Sequence, residues 1–106
     1  MKMEKILENY ISVASEAEEL ADFLTAFSDK TRLKIICLLC MDDMCVNDIC
    51  FVTAMNQSAV SHQLKILREL EIINCYKDGK KTRYYIRNKN VESLLYQAVV
   101  ASEDII

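Results

Sequence analysis

The chain has 106 residues, 52% of them hydrophobic, with 13 basic and 16 acidic side chains and a formal net charge of −3. One domain spanning residues 1–106 accounts for that length, the apolar content excludes a disordered chain, and no window approaches the roughly 18 apolar residues of a membrane span. A chain this short buries more apolar surface when paired with a second copy, so a homodimer is expected.

With no proline and one glycine, the chain favours long helices. Met1-Lys2-Met3-Glu4-Lys5 leads into an acidic amphipathic segment and not into the apolar core of a secretion signal, so a cytoplasmic protein without membrane contacts is expected. Five cysteines, an odd number, read in a reducing compartment as free thiols, metal ligands or redox sensors rather than as a disulfide framework.

From Met3 onward, Met3, Leu7, Tyr10, Ala14, Ala17, Ala21 and Leu24 recur in steps of four and three, and Ile6, Val13, Leu20 and Phe27 form an adjacent row. This stripe, with Glu4, Glu8, Glu16, Glu18 and Glu19 on other faces, predicts a long helix whose apolar side is core or subunit interface. Ser28-Asp29-Lys30-Thr31 interrupts it and offers caps to a second helix, Arg32 to Cys40. Within that helix Cys37 and Cys40 fall on the apolar side, where free cysteines are commonly core thiols. After a polar break at Met41-Asp42-Asp43-Met44, a third helix is predicted from Val46 to Thr53, with Cys45 at its start and Asn47 and Asp48 in its first turn.

Asn56 is placed to cap a fourth helix, with Val60, Leu64, Leu67 and Leu70 on one face and Ser58, Ser61, His62 and Lys65 on the other. Ile72 to Lys77 and Lys81 to Arg87 are rich in β-branched and aromatic residues, as strands are. Asp78-Gly79 between them predicts a two-residue hairpin turn, where positive φ gives the sole glycine its task. From Asn90 a last helix carries Val91, Leu94, Leu95, Ala98 and Val99 on one face, to be buried against the first helix, a second subunit or both.

Charge divides unevenly along this plan. Residues 57–89 hold eight basic side chains against three acidic ones, and the rest of the chain five against thirteen. Phosphate binding follows local charge, so a basic face on an acidic body suits a nucleic-acid ligand despite the acidic total. A short helix with a polar leading face and a basic hairpin behind it is the layout of a winged helix-turn-helix: mainly α with a β-hairpin wing, in the order ααααββα.

The segments Asp29-Lys30-Thr31-Arg32-Leu33-Lys34-Ile35-Ile36, Cys45-Val46-Asn47-Asp48-Ile49-Cys50, Ser58-Ala59-Val60-Ser61-His62-Gln63-Leu64 and Lys77-Asp78-Gly79-Lys80, with Tyr84-Tyr85, together resemble the ArsR/SmtB family of winged-helix repressors across nearly the whole chain. The resemblance implies a homodimer, joined through its first and last helices, that occupies an imperfect inverted repeat in double-stranded operator DNA and leaves it when an inducer binds. Gln57, Ser58, Ser61, His62 and Gln63 supply the short donors and acceptors that a major-groove helix needs. Lys65 is expected at a phosphate, and Lys80, Lys81 and Arg83 at phosphate or in the minor groove, positioning the protein. His62, the sole histidine, has no acid or cysteine four residues away, so a DNA-facing or packed role outweighs metal ligation.

Many members of this family bind zinc, nickel or cobalt between their last helices. The stretch after Asn90 contains no histidine, so that site is not expected here. Other members place thiolates at the start of helix three in a pattern close to Cys-Val-Cys-Asp-Leu-Cys, and this chain keeps the first and last, Cys45 and Cys50, with Asn47 between. The partial match implies a thiophilic inducer, As(III), Sb(III) or Cd(II), and no obligatory cofactor; thiolates select such ions. Residues five apart lie about 140° around and about 7.5 Å along a regular helix, so one ion cannot bridge them without local unwinding. The candidate third ligand is Cys40, across the Met41 to Met44 break, or a group from outside the chain. Thiol-redox or persulfide sensing through Cys37 and Cys40 ranks second, and a winged helix serving as a protein-interaction module ranks lower. Cys37-Leu38-Leu39-Cys40 lacks the βαβ context of a redox enzyme, and with no Gly-rich phosphate loop or zinc-protease motif the chain does not read as an enzyme.

Overall fold

The computed structural model describes residues 2–105; Met1 and Ile106, the ends of the single-domain span expected from the sequence, lie outside the described residues. The helices are α1 (Met3–Thr25), α2 (Lys30–Met41), α3 (Val46–Thr53), α4 (Gln57–Glu69) and α5 (Asn90–Ile105), and the strands are β1 (Met44–Cys45), β2 (Ile73–Asp78) and β3 (Lys81–Ile86). This is the expected order with one addition, since the break after the second helix contains β1. It pairs antiparallel with β3, Met44 opposite Tyr84 and Cys45 opposite Arg83, and gives a three-stranded sheet in the order β1-β3-β2.

The helix ends follow from local chemistry. Asp29 Oδ1 accepts the Arg32 backbone N–H at 2.9 Å, and Asn56 Oδ1 accepts that of Ala59 at 2.8 Å, each satisfying a first-turn donor that the helix leaves free. At the far end of α4, Ile72 N–H reaches Leu67 O at 3.1 Å and Glu71 N–H reaches Arg68 O at 2.9 Å, with Glu71 at φ 61°. That pair of bonds is a Schellman cap, and it turns the chain directly into β2.

The hairpin turn sits one residue later than predicted. Asp78 pairs with Lys81, so the two loop residues are Gly79 and Lys80, not Asp78 and Gly79. Gly79 has φ 64° while Lys80 is not among the positive-φ residues, which is the pattern of a type II′ turn with glycine first. Asp78 remains in the ladder opposite a lysine, a favourable cross-strand pair.

Ile35, Ile36, Ile49, Val60, Leu64, Leu67, Ile72 and Ile73 form the buried centre, where α2, α3, α4 and β2 meet. Three of the four apolar residues predicted for α4 are in it, while Leu70 caps the helix and is exposed. The first helix behaves differently. No residue of α1 is buried, and Met3 and Ile11 remain 74% and 71% exposed. The radius of gyration is accordingly 17.5 Å, against about 13 Å for a compact chain of this length. No helix among the described residues is long and apolar enough to cross a membrane.

Ala54 ends α3 at φ 58°, a conformation that strains any residue with a Cβ. Ala54→Gly is expected to stabilise the protein by about 0.5–1 kcal/mol, read as a higher midpoint in thermal or urea denaturation.

Candidate nucleic-acid interface and thiol positions

Burying Val60, Leu64 and Leu67 presents the other side of α4 to solvent, where Gln57, Ser58, Ser61, His62 and Lys65 are exposed. Lys80 and Lys81 are exposed at the tip of the wing. A cleft of 320 Å³ joins the two elements, lined by Gln57 at the start of α4, by Lys80, Lys81, Thr82 and Tyr84 of the hairpin, and by Cys45, Val46 and Asn47. Helix α4 and the wing therefore share one basic, polar surface.

Two residues assigned to that surface from the sequence are turned to structural partners. Gln63 is half-buried, and its Oε1 accepts from Arg32 Nε at 3.2 Å, which ties α4 to the first turn of α2. Arg32 is held in place by Asp29, 3.9 Å away. Arg83 is also half-buried, and its Nη2 donates to the backbone carbonyl of Asp43 at 2.6 Å. Tyr76 donates to Asp43 Oδ2 at 3.2 Å, and its ring meets that of Tyr85 at a 51° tilt with 5.9 Å between centroids. Asp43 thus braces the wing against the α2–β1 connection. The Arg32–Gln63, Tyr76–Asp43 and Arg83–Asp43 hydrogen bonds join residues 31 to 40 positions apart, and nothing in the local pattern announces them.

Cys45 caps α3 and is buried, 5% exposed. Its backbone N–H donates to Asp48 Oδ2 at 3.3 Å. Hydrogen bonding from the Cys45 thiol, and then from its N–H, holds the Asp48 carboxyl below its ordinary value, and Lys81 and Arg83 lower it further. Cys50 and Cys40 are half-buried against the core. Burial pushes the Cys40 thiol up, with Glu92 and Cys37 adding in the same direction. Cys37 corrects an expectation: it is exposed and not a core thiol, because Ile35, Ile36 and Leu39 take the inner side of α2. All five cysteines are free, and among the described residues no three His, Cys, Asp or Glu side chains come together to hold a metal ion. Cys45, Cys50 and Cys40 are not a preformed three-thiolate site.

Helix, turn, reading helix and braced hairpin define a winged helix-turn-helix regulator. Residues 29–74 match the family model described as bacterial regulatory protein, arsR family. The cadmium resistance transcriptional regulatory protein CadC of Listeria innocua serovar 6a is 30% identical over 92 residues, covering 86% of this chain and 77% of CadC. The transcriptional repressor SmtB homolog of Synechocystis is 32% identical over 79 residues, 74% of this chain, which spans 60% of the length of that relative. The solution structure of apo-NmtR superposes with a TM-score of 0.76 at 33% identity, over 86% of this chain and 76% of that one. The chain belongs to the ArsR family.

The lowered carboxyl of Asp48 gives a pH prediction. A carboxyl held below its unfolded value contributes stability above that value, about pH 4, and loses it as the pH falls through the lowered one. Asp48→Asn is expected to flatten the loss of stability below about pH 4, with little change of slope at higher pH, in denaturation curves recorded across the acid range.

Proposed function

We propose that the chain is a homodimeric repressor that binds double-stranded operator DNA through α4 and the wing, and is released when a thiophilic ion of the arsenite, antimonite or cadmium type meets Cys45 and Cys50. The observation that carries the DNA reading is the shared surface on which the exposed polar face of α4 meets Lys80 and Lys81. In this reading Gln57, Ser58, Ser61 and His62 face base edges and Lys65, Lys80 and Lys81 face phosphate. Gln63 and Arg83 position these elements from behind. The dimer forms through α1 and α5, which leave Leu7, Tyr10, Ile11, Val13, Tyr96 and Val99 exposed on a chain that cannot bury them itself.

The position of Cys45 supports the inducer reading. It is at once the cap of α3, the Cα partner of Arg83 in the wing, and part of the cleft wall beside Gln57. Capture of an ion by Cys45 and Cys50 requires the first turn of α3 to unwind, since a regular helix keeps them apart, and unwinding there disturbs both the wing pairing and the helix packed against α4. The name of CadC associates a relative with cadmium resistance. A second reading, thiol-redox or persulfide sensing, is favoured by the exposure of Cys37 one turn from Cys40 on α2, the helix bonded to α4 through Arg32 and Gln63.

The test is release from a duplex of the protein's own promoter, followed by fluorescence anisotropy. Arsenite or cadmium is expected to release the wild-type chain and to fail with Cys45→Ser and with Cys50→Ser, while zinc has no effect. Release by a persulfide donor alone, lost in Cys37→Ser, replaces the metalloid reading with the redox one. Binding that does not weaken as salt rises would count against DNA as the partner and for a protein-interaction module.

A further inference from the structure

Tyr84 stands between two clefts that separate α4 from the wing. The first is the one at Gln57, Lys80 and Lys81. The second, 360 Å³, is lined by Ser61, Lys65, Arg68, Glu69 and Tyr84, so Arg68 adds a cation beside Lys65. Arg68 is exposed, and among the described residues the ion pairs, Arg32 with Asp29 and Arg87 with Glu71, do not involve it. At about 100° per residue, Ser61, Lys65 and Arg68 fall within about 60° of one another around α4. Gln57 and Ser58 flank the same stripe, so Arg68 continues the DNA-facing side one turn beyond Lys65. Tyr84, whose ring packs against the core, closes the opposite side of the cleft.

We propose that this second cleft seats one backbone phosphate of duplex DNA, held by Arg68 with Lys65. The proposal rests on the DNA-binding reading above and adds a site to it. The guanidinium fork matches phosphate oxygens in two parallel hydrogen bonds, whereas Lys65 supplies a point charge. Two cations against the single carboxylate of Glu69 leave the cleft net positive. Glu69 opposes the phosphate and keeps the contact reversible. A contact of this kind fixes the register of the helix on the duplex and carries no base preference.

The experiment measures affinity of the full-length chain for its promoter duplex and for a random-sequence duplex of equal length, across a salt series. Arg68→Gln is expected to reduce the slope of log affinity against log salt by about 0.9 per protomer on both duplexes, leaving their affinity ratio unchanged. Glu69→Gln is expected to tighten both. Ser58→Ala, on the base-reading face, is expected to weaken the promoter complex alone. Thermal denaturation of each variant checks that the fold is intact. An unchanged slope in Arg68→Gln, or a loss confined to the promoter duplex, overturns the phosphate seat while leaving DNA binding standing. A wild-type chain that binds neither duplex removes the DNA reading and the seat together.

Discussion

The roll of α4 about its own axis is the constraint on which the surface chemistry depends. Val60, Leu64 and Leu67 are buried on one side of it, each contributing roughly 1.5–3 kcal/mol relative to exposure. Turning the helix by one residue would lift this row out of the core and drive Ser61 and Lys65 toward it, where an unpaired lysine is costly. Several kilocalories per mole therefore hold the polar side outward. The caps at Asn56 and Glu71 fix where that side starts and stops, and the Arg32–Gln63 bond fixes its tilt against α2. None of these groups need touch a ligand to decide which groups can.

A second junction lies at Cys45, where a strand of two residues does what a longer element would otherwise do. Its pairing with β3 fastens the wing to the body, and the same residue starts α3. Asp48 and Asp43 complete the fastening from either side, one bonded to the Cys45 backbone and the other receiving Arg83 and Tyr76. The base of the wing is thus packed on the core through Ile73, Tyr84 and Ile86, and its junction with β1 is fastened by polar contacts. Polar fastenings of this kind, partly open to water, are worth little individually and are easily exchanged. In the proposed release mechanism, a disturbance at Cys45 reaches the wing and α4 through these contacts without unfolding the core.

What could be read in the sequence was what is local. The periods of α1 and α4, the caps at Asp29 and Asn56, and the hairpin glycine all express preferences within four residues of themselves, and the structure carries each of them. The strand at Met44–Cys45 escaped because two residues have no period. The turn moved by one residue because Asp78 gains a cross-strand lysine by staying in the ladder. Gln63 and Arg83 read as ligand contacts because their partners, Arg32 and Asp43, are distant in the chain. Cys37 read as core because α2 is apolar on more than one side, and only packing decides which side goes in. Arg68 has the opposite history: its charge was visible, but its place in a cleft required Tyr84 to be brought beside it.

The first helix leaves its apolar side unburied within its own chain. Its 23 residues extend about 35 Å and bury none of their apolar side chains, while glutamates on its other faces keep it in water. In the proposed dimer, α1 and α5 set the separation of the two reading helices, so half-site spacing belongs to the dimer helices and base preference to α4. Once one α4 is seated, the second binds as an intramolecular event, and the joint affinity far exceeds that of either half. The same linkage makes release economical. Tilting α4 relative to α1 by a small amount need not abolish either contact; it needs only to break the match between two half-sites, and both are then lost together.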